Sequence, residues 1–203
     1  APRLGSDGSG HALLESLGHS VTPVFPAIVQ LRADTAWIRQ LKGIRCEMEA
    51  RFCDGEEVLG ARRGEVLFTE YGLSGIAVLQ LSRCCGRARR PKVLLDAMPE
   101  YGADELAAML RARAGICRHR ALFDFFTGVL NKRYGQMLLK FAGFALSDPA
   151  AVLTEPDFVR IAALVKAFEV GVTGTTGFAN AQATAGGASL PENVARQFTQ
   201  KFG

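Results

Sequence analysis

The stretch RCEMEARFCDGEEVLGARR, residues 45–63, decides the fold that we expect for this chain. Apolar and charged residues alternate strictly in its first half, with Cys46, Met48, Ala50 and Phe52 on one side and Arg45, Glu47, Glu49 and Arg51 on the other. This period of two predicts a β-strand with one buried face. Asp54-Gly55 follows at once, and both residue types tolerate the positive φ of a type I′ turn, so residues 56–63 are predicted to return as the partner strand.

Further strand patterns lie on both sides of this hairpin. Residues 21–32, VTPVFPAIVQLR, predict an edge or interrupted strand, because Pro23 and Pro26 cannot donate a ladder hydrogen bond. The other predicted strands cover residues 65–69, 92–98, 169–174 and 178–185. A Gly-Leu-Ser-Gly turn is predicted at 72–75, where Ser74 would cap a helix over 76–81.

Helical patterns account for the rest. A short helix is predicted within 6–18, after Ser6 or Asp7 and ending at Gly18. Four more helices are predicted between 103 and 169, because apolar residues recur there at helical spacing. The first is marked by Leu106, Met109 and Leu110, and the second by Leu122, Phe126, Val129 and Leu130. The third is marked by Tyr134, Met137, Leu138 and Phe141, and the fourth by Phe158, Ile161, Val165 and Phe168. Thr154-x-x-Asp157 is a capping box that opens the last of them. The order of strands, helices and strands predicts an α+β protein, a small β-barrel-like domain with an inserted bundle of about four helices.

The composition is that of a folded protein, with 48% hydrophobic and 22% charged residues in a chain of 203. No apolar run approaches the ~20 residues that a membrane helix needs, and the amino terminus lacks the pattern of a secretory signal. Five cysteines without a Cys-x-x-Cys pair predict reduced thiols in the cytoplasm, and with three histidines they predict no metal site. The net charge of +4 does not demand a nucleic-acid partner.

Two glycine-rich segments are the candidate ligand-binding elements. LGSDGSG, residues 4–10, can hold phosphate at a helix amino terminus, where backbone N–H groups favour anions. TAGGAS, residues 184–189, allows the backbone to approach a flat ligand closely, although a plain bend after a strand explains the same residues. No nucleophile beside a base is recognisable, so catalytic residues stay unknown.

Three segments, residues 2–31, 64–83 and 172–190, occur in an order that resembles the BaiN-like NAD(P)/FAD-dependent oxidoreductases. This family of bacterial flavoproteins is also called the aminoacetone oxidase family of FAD-binding enzymes. The resemblance implies that the chain is the middle (insert) domain excised from a split dinucleotide-binding flavoprotein. The implied boundaries are a remnant of the FAD domain with a short helix (1–20), the first part of the barrel (21–100), the helical insertion (101–168), the returning strands that close the barrel (169–190) and a linker toward the FAD domain (191–203).

The resemblance also implies cofactor-binding residues. Gly5, Ser6, Gly8 and Gly10 match the family's G-S-x-G-x-G pattern, with Ser9 and His11 in place of its usual Asp and Tyr. Thr184, Ala185, Gly186 and Gly187 match its T-A-G-G, a run that resembles the backbone beside the flavin ring in related reductases. Thr69, Gly72, Ser74 and Gly75 match a third block, whose expected role is to join a strand tightly to a helix.

The implied parent is a FAD-dependent NAD(P)H oxidoreductase. Its partners would be the FAD-binding domain of the same polypeptide and a small-molecule substrate, whereas the chain alone is expected to lose FAD and to be inactive. A rival hypothesis is a free-standing β-barrel interaction module that binds RNA or an acidic partner through the basic cluster at 83–92. Self-association through the helical insertion is a further alternative, and the sequence identifies neither the substrate nor the choice between NADH and NADPH.

Overall fold

The structure is a computed structural model that describes residues 2–189. In this part of the chain the strands are β1 (Val21–Ala27), β2 (Leu31–Ala33), β3 (Arg45–Asp54), β4 (Glu57–Phe68), β5 (Gly72–Ser74), β6 (Pro91–Asp96), β7 (Phe168–Thr175) and β8 (Ala183–Ala188). The α-helices are α1 (Ser9–Ser16), α2 (Ile76–Leu81), α3 (Ala103–Ile116), α4 (Lys132–Phe141) and α5 (Glu155–Lys166). None of these helices is long and apolar enough to cross a lipid bilayer.

Six of the strands form a closed barrel in the order β2-β5-β4-β3-β6-β7, with β7 returning to pair with β2. The central hairpin is confirmed, because β3 and β4 pair antiparallel from Arg45 opposite Leu67 to Asp54 opposite Glu57. Helices α3, α4 and α5 lie between β6 and β7, which are antiparallel neighbours in the barrel. The predicted fold class, an α+β barrel domain with a helical insertion, is therefore confirmed.

The turn of the hairpin differs from the predicted one. Its two loop residues are Gly55 and Glu56, and of these only Gly55 has a positive φ, 60°. Asp54 remains in the strand because its carboxylate accepts a hydrogen bond from the backbone N–H of Arg90 at 2.6 Å. A type I′ turn at Asp54-Gly55 was thus the wrong prediction, whereas the pairing that it implied is right.

Strand β4 continues where the sequence predicted two separate strands. Gly64 lies opposite Met48 within the ladder, and it has no side chain where Ile76 of α2 packs on the strand. The predicted turn at 72–75 is also wrong, because Gly72–Ser74 is the buried strand β5 between β2 and β4. The residue that precedes α2 is Gly75 rather than Ser74, although the predicted helix over 76–81 is confirmed.

Strands β1 and β8 form a separate two-stranded ribbon outside the barrel. The register of β1 shifts between Thr22 and Phe25, around Pro23, and the chain leaves the ribbon at Ile28, which has a φ of 49°. These irregularities confirm the predicted interrupted strand. The strand predicted over 178–185 begins only at Ala183, because Phe178–Asn180 forms a 3-10 turn.

The helical insertion holds three α-helices rather than four. The apolar residues of 122–130 form only a 3-10 turn, Leu122–Asp124, because the backbone there bonds to a distant segment: the N–H of Leu122 donates to Asp148 O, and that of Phe123 to Leu146 O, each at 2.8 Å. The capping residues of α5 are as predicted, since the N–H of Thr154 donates to Asp157 Oδ2 at 2.9 Å.

The barrel and the insertion share one hydrophobic core. Phe52 and Phe68 fill the barrel, and the ring of Tyr134 from α4 packs against Phe68 and Phe168 with centroids 5.7 and 6.4 Å apart. Burying an aromatic or aliphatic side chain of this size contributes roughly 1.5–3 kcal/mol. The insertion is therefore held on the barrel by the same contacts that stabilise the barrel itself.

Candidate functional site

The amino-terminal glycine loop leads into α1, and two of its residues have a left-handed backbone conformation. Gly5 and Gly8 each have a φ of 86°, which glycine adopts without strain. Gly8 occupies the position before the helix, and the Asp7 carboxylate accepts a hydrogen bond from the N–H of Ser9 at 2.9 Å. Gly18, with a φ of 85°, follows the end of the helix as predicted.

The segment Thr184–Gly187 lies within strand β8, so the plain bend is excluded. Thr184 and Ala185 pair with Pro26 and Phe25 of β1. Gly186 has a φ of 82°, and a Cβ there would lie 2.1 Å from the carbonyl oxygen of Pro23. This close approach of β1 explains why a residue without a side chain occupies position 186.

Gly187 is tied to β1 by a side chain. The Thr22 hydroxyl donates to Gly187 O at 2.9 Å and accepts from the N–H of Gly187 at 3.1 Å. A Cβ at position 187 would lie 3.7 Å from His11 Nε2, so β8 passes directly beside α1. The ribbon thus brings the two glycine-rich segments together from opposite ends of the described chain.

A cleft of about 290 Å³ lies at this junction. Its lining residues are Pro2, Ser6, Asp7, Gly8, His11, Val24, Phe178 and Thr184. Of the predicted cofactor-binding residues, Ser6, Gly8 and Thr184 line the cleft, whereas Gly5, Ala185, Gly186 and Gly187 do not. Ala185 instead lines a cavity with Arg83, Cys84 and Arg87.

The charge in the cleft differs from that of a phosphate site. Hydrogen bonds from the Ser9 hydroxyl and backbone N–H lower the pKa of the Asp7 carboxyl, which keeps it ionised at neutral pH. This carboxylate takes the place at the start of α1 where an anion would bind. The cleft therefore suits a neutral ring or hydroxyl group better than a phosphate.

His11 and Phe178 line the cleft although sequence reasoning did not select them. His11 follows the glycine loop on α1 and lines the cleft. The family pattern has Tyr at this position, and that difference is the one sequence feature that could have indicated a role for His11. Phe178 was assigned to a strand with alternating faces. Phe178 instead begins a 3-10 turn that follows Gly177, which has a φ of 84°. The alternating pattern of residues 178–185 does not predict this turn.

The block Thr69–Gly75 has structural contacts that fit its expected role. The Thr69 hydroxyl donates to Gly72 O at 2.9 Å. A Cβ on Gly72 would lie 2.2 Å from Leu31 O, and one on Gly75 would lie 2.3 Å from Glu65 O. The two glycines allow β5 to sit against its neighbours and to lead directly into α2.

No group of three metal-binding side chains occurs between residues 2 and 189. The basic cluster at 83–92 is partly engaged within the chain, because Lys92 Nζ lies 3.1 Å from Glu56 and 2.9 Å from Glu169. The described residues that line the cleft therefore include no metal-binding group of this kind and no residue of the basic cluster.

A closed barrel interrupted by a helical insertion defines the class of domain to which this chain belongs. The family model described as "HI0933-like protein barrel and H2TH domain" matches residues 25–183, and the chain belongs to this family. It is also 33% identical over 193 residues to 3-dehydro-bile acid delta(4,6)-reductase from Clostridium scindens. That alignment covers 93% of this chain and 47% of the relative, so the chain spans about half the length of the curated protein. These matches confirm the resemblance to the middle domain of the BaiN-like proteins.

Proposed function

We propose that this chain is part of a FAD-dependent oxidoreductase, in which the barrel and its insertion cover the flavin and help to shape the substrate site. The observation that carries the proposal is the cleft where Ser6 and Gly8 meet Thr184. These residues belong to two glycine-rich segments that were selected independently from the sequence. The relative in Clostridium scindens is named as a reductase, which supports a reductive reaction. NADH or NADPH as the source of the hydride is part of the proposal.

The residues of the cleft fit one part of the cofactor. A volume of about 290 Å³ lies at the lower limit of typical ligand pockets, ~300–1,000 Å³, so it suits one ring system rather than a whole dinucleotide. Gly8 leaves open space where a Cβ would lie, so a flat group can approach its backbone. The remaining contacts to FAD would come from the FAD-binding domain of the same polypeptide.

The bound flavin would supply the hydride transfer, and the chain's own residues would bind and orient. Thr184 and His11 contribute side chains that can hydrogen-bond to a polar ring edge. Thr184 is held in the ribbon by its pairing with Pro26. Val24 and Phe178 provide the apolar walls that exclude water from such a site. Gly186 and Gly187 act indirectly in this proposal, because they hold β8 against β1.

Exposed leucines beside the cleft support a contact with a FAD-binding domain. Helix α1 has no buried residue, and Leu13 and Leu17 are 61% and 68% exposed. Leu4, in the glycine loop, is 72% exposed. Exposed apolar side chains of this size can mark an interface, which we place with the domain that completes the flavin site. The isolated chain is therefore expected to bind FAD weakly and to be inactive.

The small-molecule substrate and the cellular location are part of the same proposal. The substrate would reach the flavin from the side of the cleft, and its identity depends on residues in both halves of the parent. We assign the protein to the cytoplasm, because the odd number of cysteines fits reduced thiols and each of the five is unpaired in the described chain.

The test compares two threonine variants of the full-length parent protein. Thr184→Val keeps the shape of a cleft residue but removes its hydroxyl. We expect weaker flavin binding, seen as a raised Kd for FAD, and slower reduction by NAD(P)H. Thr173→Val is the matched control, because Thr173 is exposed on β7 and does not line the cleft. Equal FAD affinity and equal rates in both variants would exclude a role for the cleft.

A flavin titration of the isolated chain tests whether the proposed FAD-binding domain is needed for flavin binding. Quenching of FAD fluorescence is expected to stay weak and unsaturated with this chain alone. Tight, saturable quenching would show that the chain carries a self-sufficient flavin site and would overturn the proposal that a FAD-binding domain is needed to hold the cofactor.

A further inference from the structure

A groove of about 490 Å³ lies between the barrel and the helical insertion, and it shares no lining residue with the cleft of about 290 Å³ described above. Trp37 and Asp34 border it from the turn after β2, Phe141 from the end of α4, and Phe168 and Glu169 from the first half of β7. We call it the Trp37 groove. It is separate from the site proposed above, so the inference below does not depend on that proposal.

Three aromatic rings form one side of the Trp37 groove. The rings of Trp37 and Phe141 lie edge to face, with centroids 5.1 Å apart and planes at 77°. Phe141 meets Phe168 in the same manner, at 5.2 Å and 78°. Phe168 is buried, whereas Trp37 and Phe141 are 40% and 41% exposed. The exposed parts of Trp37 and Phe141 therefore give the groove an aromatic wall that a ligand can reach.

Two carboxylates, Asp34 and Glu169, lie in the same lining beside the apolar Ile38 and Val170. Asp34 is fixed by its backbone, because its N–H donates to Gly171 O at 2.8 Å while its Oδ1 accepts from the N–H of Ala36 at 2.9 Å. Glu169 forms a salt bridge with Lys92, whose Nζ lies 2.9 Å from Glu169 Oε2. Asp34 therefore contributes most of the unneutralised negative charge, and no lysine or arginine lines the groove in the described part of the chain.

The combination of these groups points to one class of ligand. Aromatic faces attract cations through the ring quadrupole, and aromatic walls with nearby carboxylates recognise alkylammonium groups. An anion would be repelled by Asp34 and Glu169, and a neutral apolar ligand would gain nothing from the Asp34 carboxylate beside the rings. We propose that the Trp37 groove binds a small organic cation of the alkylammonium class.

Trp37 is the single tryptophan of the chain, so its fluorescence reports directly on the groove. The purified chain is titrated with tetramethylammonium chloride, which is transparent in this range. Two parallel titrations use tert-butanol, a neutral molecule of the same shape, and sodium chloride at equal ionic strength. A saturable change in Trp37 emission is expected with tetramethylammonium alone. No saturable change, or an equal response to tert-butanol, would overturn the proposal.

Two variants test the residues of the groove. Asp34→Asn is expected to weaken binding of tetramethylammonium roughly two- to fivefold. Asp104→Asn, an equal charge change in the first turn of α3, is the matched control and should leave the Kd unchanged. Phe141→Leu removes one wall and is expected to abolish the saturable response. If that variant fails to fold, Asp34→Asn decides alone, because Asp34 is exposed, and an unchanged Kd contradicts the proposal.

Discussion

At the residue scale, Tyr134 combines complete burial with an unsatisfied hydroxyl. The side chain is fully buried, and its oxygen has no hydrogen-bond partner within the described chain. Burial raises the pKa of this phenol far above its ordinary value, so it stays neutral. An unpaired buried hydroxyl costs roughly 1–3 kcal/mol.

We therefore expect Tyr134→Phe to be as stable as the parent chain or more stable by about 1 kcal/mol. Tyr134→Ala, which removes the ring from between Phe68 and Phe168, is expected to lose about 3–5 kcal/mol. Urea unfolding followed by circular dichroism measures both. A loss above about 1 kcal/mol in the Phe variant would show that the hydroxyl has a partner, such as a buried water.

Gly186 allows a second prediction at the same scale. A methyl group at this position would collide with Pro23 O, and the φ of 82° strains any other residue. Gly186→Ala should destabilise the β1–β8 ribbon by about 1–3 kcal/mol. Gly171→Ala is the control, because a Cβ there meets nothing within 4 Å and its φ is not positive. Hydrogen exchange should accelerate in β1 and β8 for the first variant only. Unchanged protection would mean that the ribbon adjusts without cost.

At the element scale, the start of α5 depends on an ionised side chain. Hydrogen bonds from the hydroxyl and the backbone N–H of Thr154, together with Arg160, lower the pKa of Asp157 below its usual value of 3.8. Because the folded pKa is depressed, this stabilisation is present above the unfolded pKa and is lost as the pH falls through the folded pKa.

Asp157→Asn should therefore cost about 1 kcal/mol at neutral pH. The difference from the parent chain is expected to shrink as the pH falls below 3.8, the usual pKa of the side chain. Urea unfolding at a series of pH values gives the comparison. A difference that does not vary with pH would show that the charge of Asp157 has no part in the cap.

Local pattern explains which elements could be predicted from the sequence. Strand β3 and helix α5 were predictable because their signals, an alternation and a capping pair, lie within the element itself. The segment 122–130 has helical spacing as well, but its backbone bonds to Leu146 and Asp148, and such a partner leaves no local trace. The cleft follows the same rule: its glycines could be selected from motifs, whereas Phe178 depends on a turn outside them.

At the scale of the whole molecule, the exposed Leu13 of α1 and Leu17, the residue after it, should govern association. With Leu13 and Leu17 both uncovered, we expect concentration-dependent self-association of the isolated chain, measurable by light scattering. Replacing both by serine should keep the chain monomeric and change the free energy of unfolding by less than about 0.5 kcal/mol. The matched control is Val159→Ser on α5, also exposed. Association that persists in the double variant would place the interface elsewhere, as on the helical insertion.

The pairing of Leu95 in β6 with Phe168 in β7 has a consequence for the order of folding. All three helices of the insertion are synthesised between these neighbours, so the last seam of the barrel cannot form until the ribosome has produced them. During that interval β6 offers an unpaired edge, which invites pairing with a wrong strand. Closing so distant a contact is also slow, because the loop entropy must be overcome first. If the insertion folds early, it brings β6 and β7 close together and so lowers the entropy cost of pairing them.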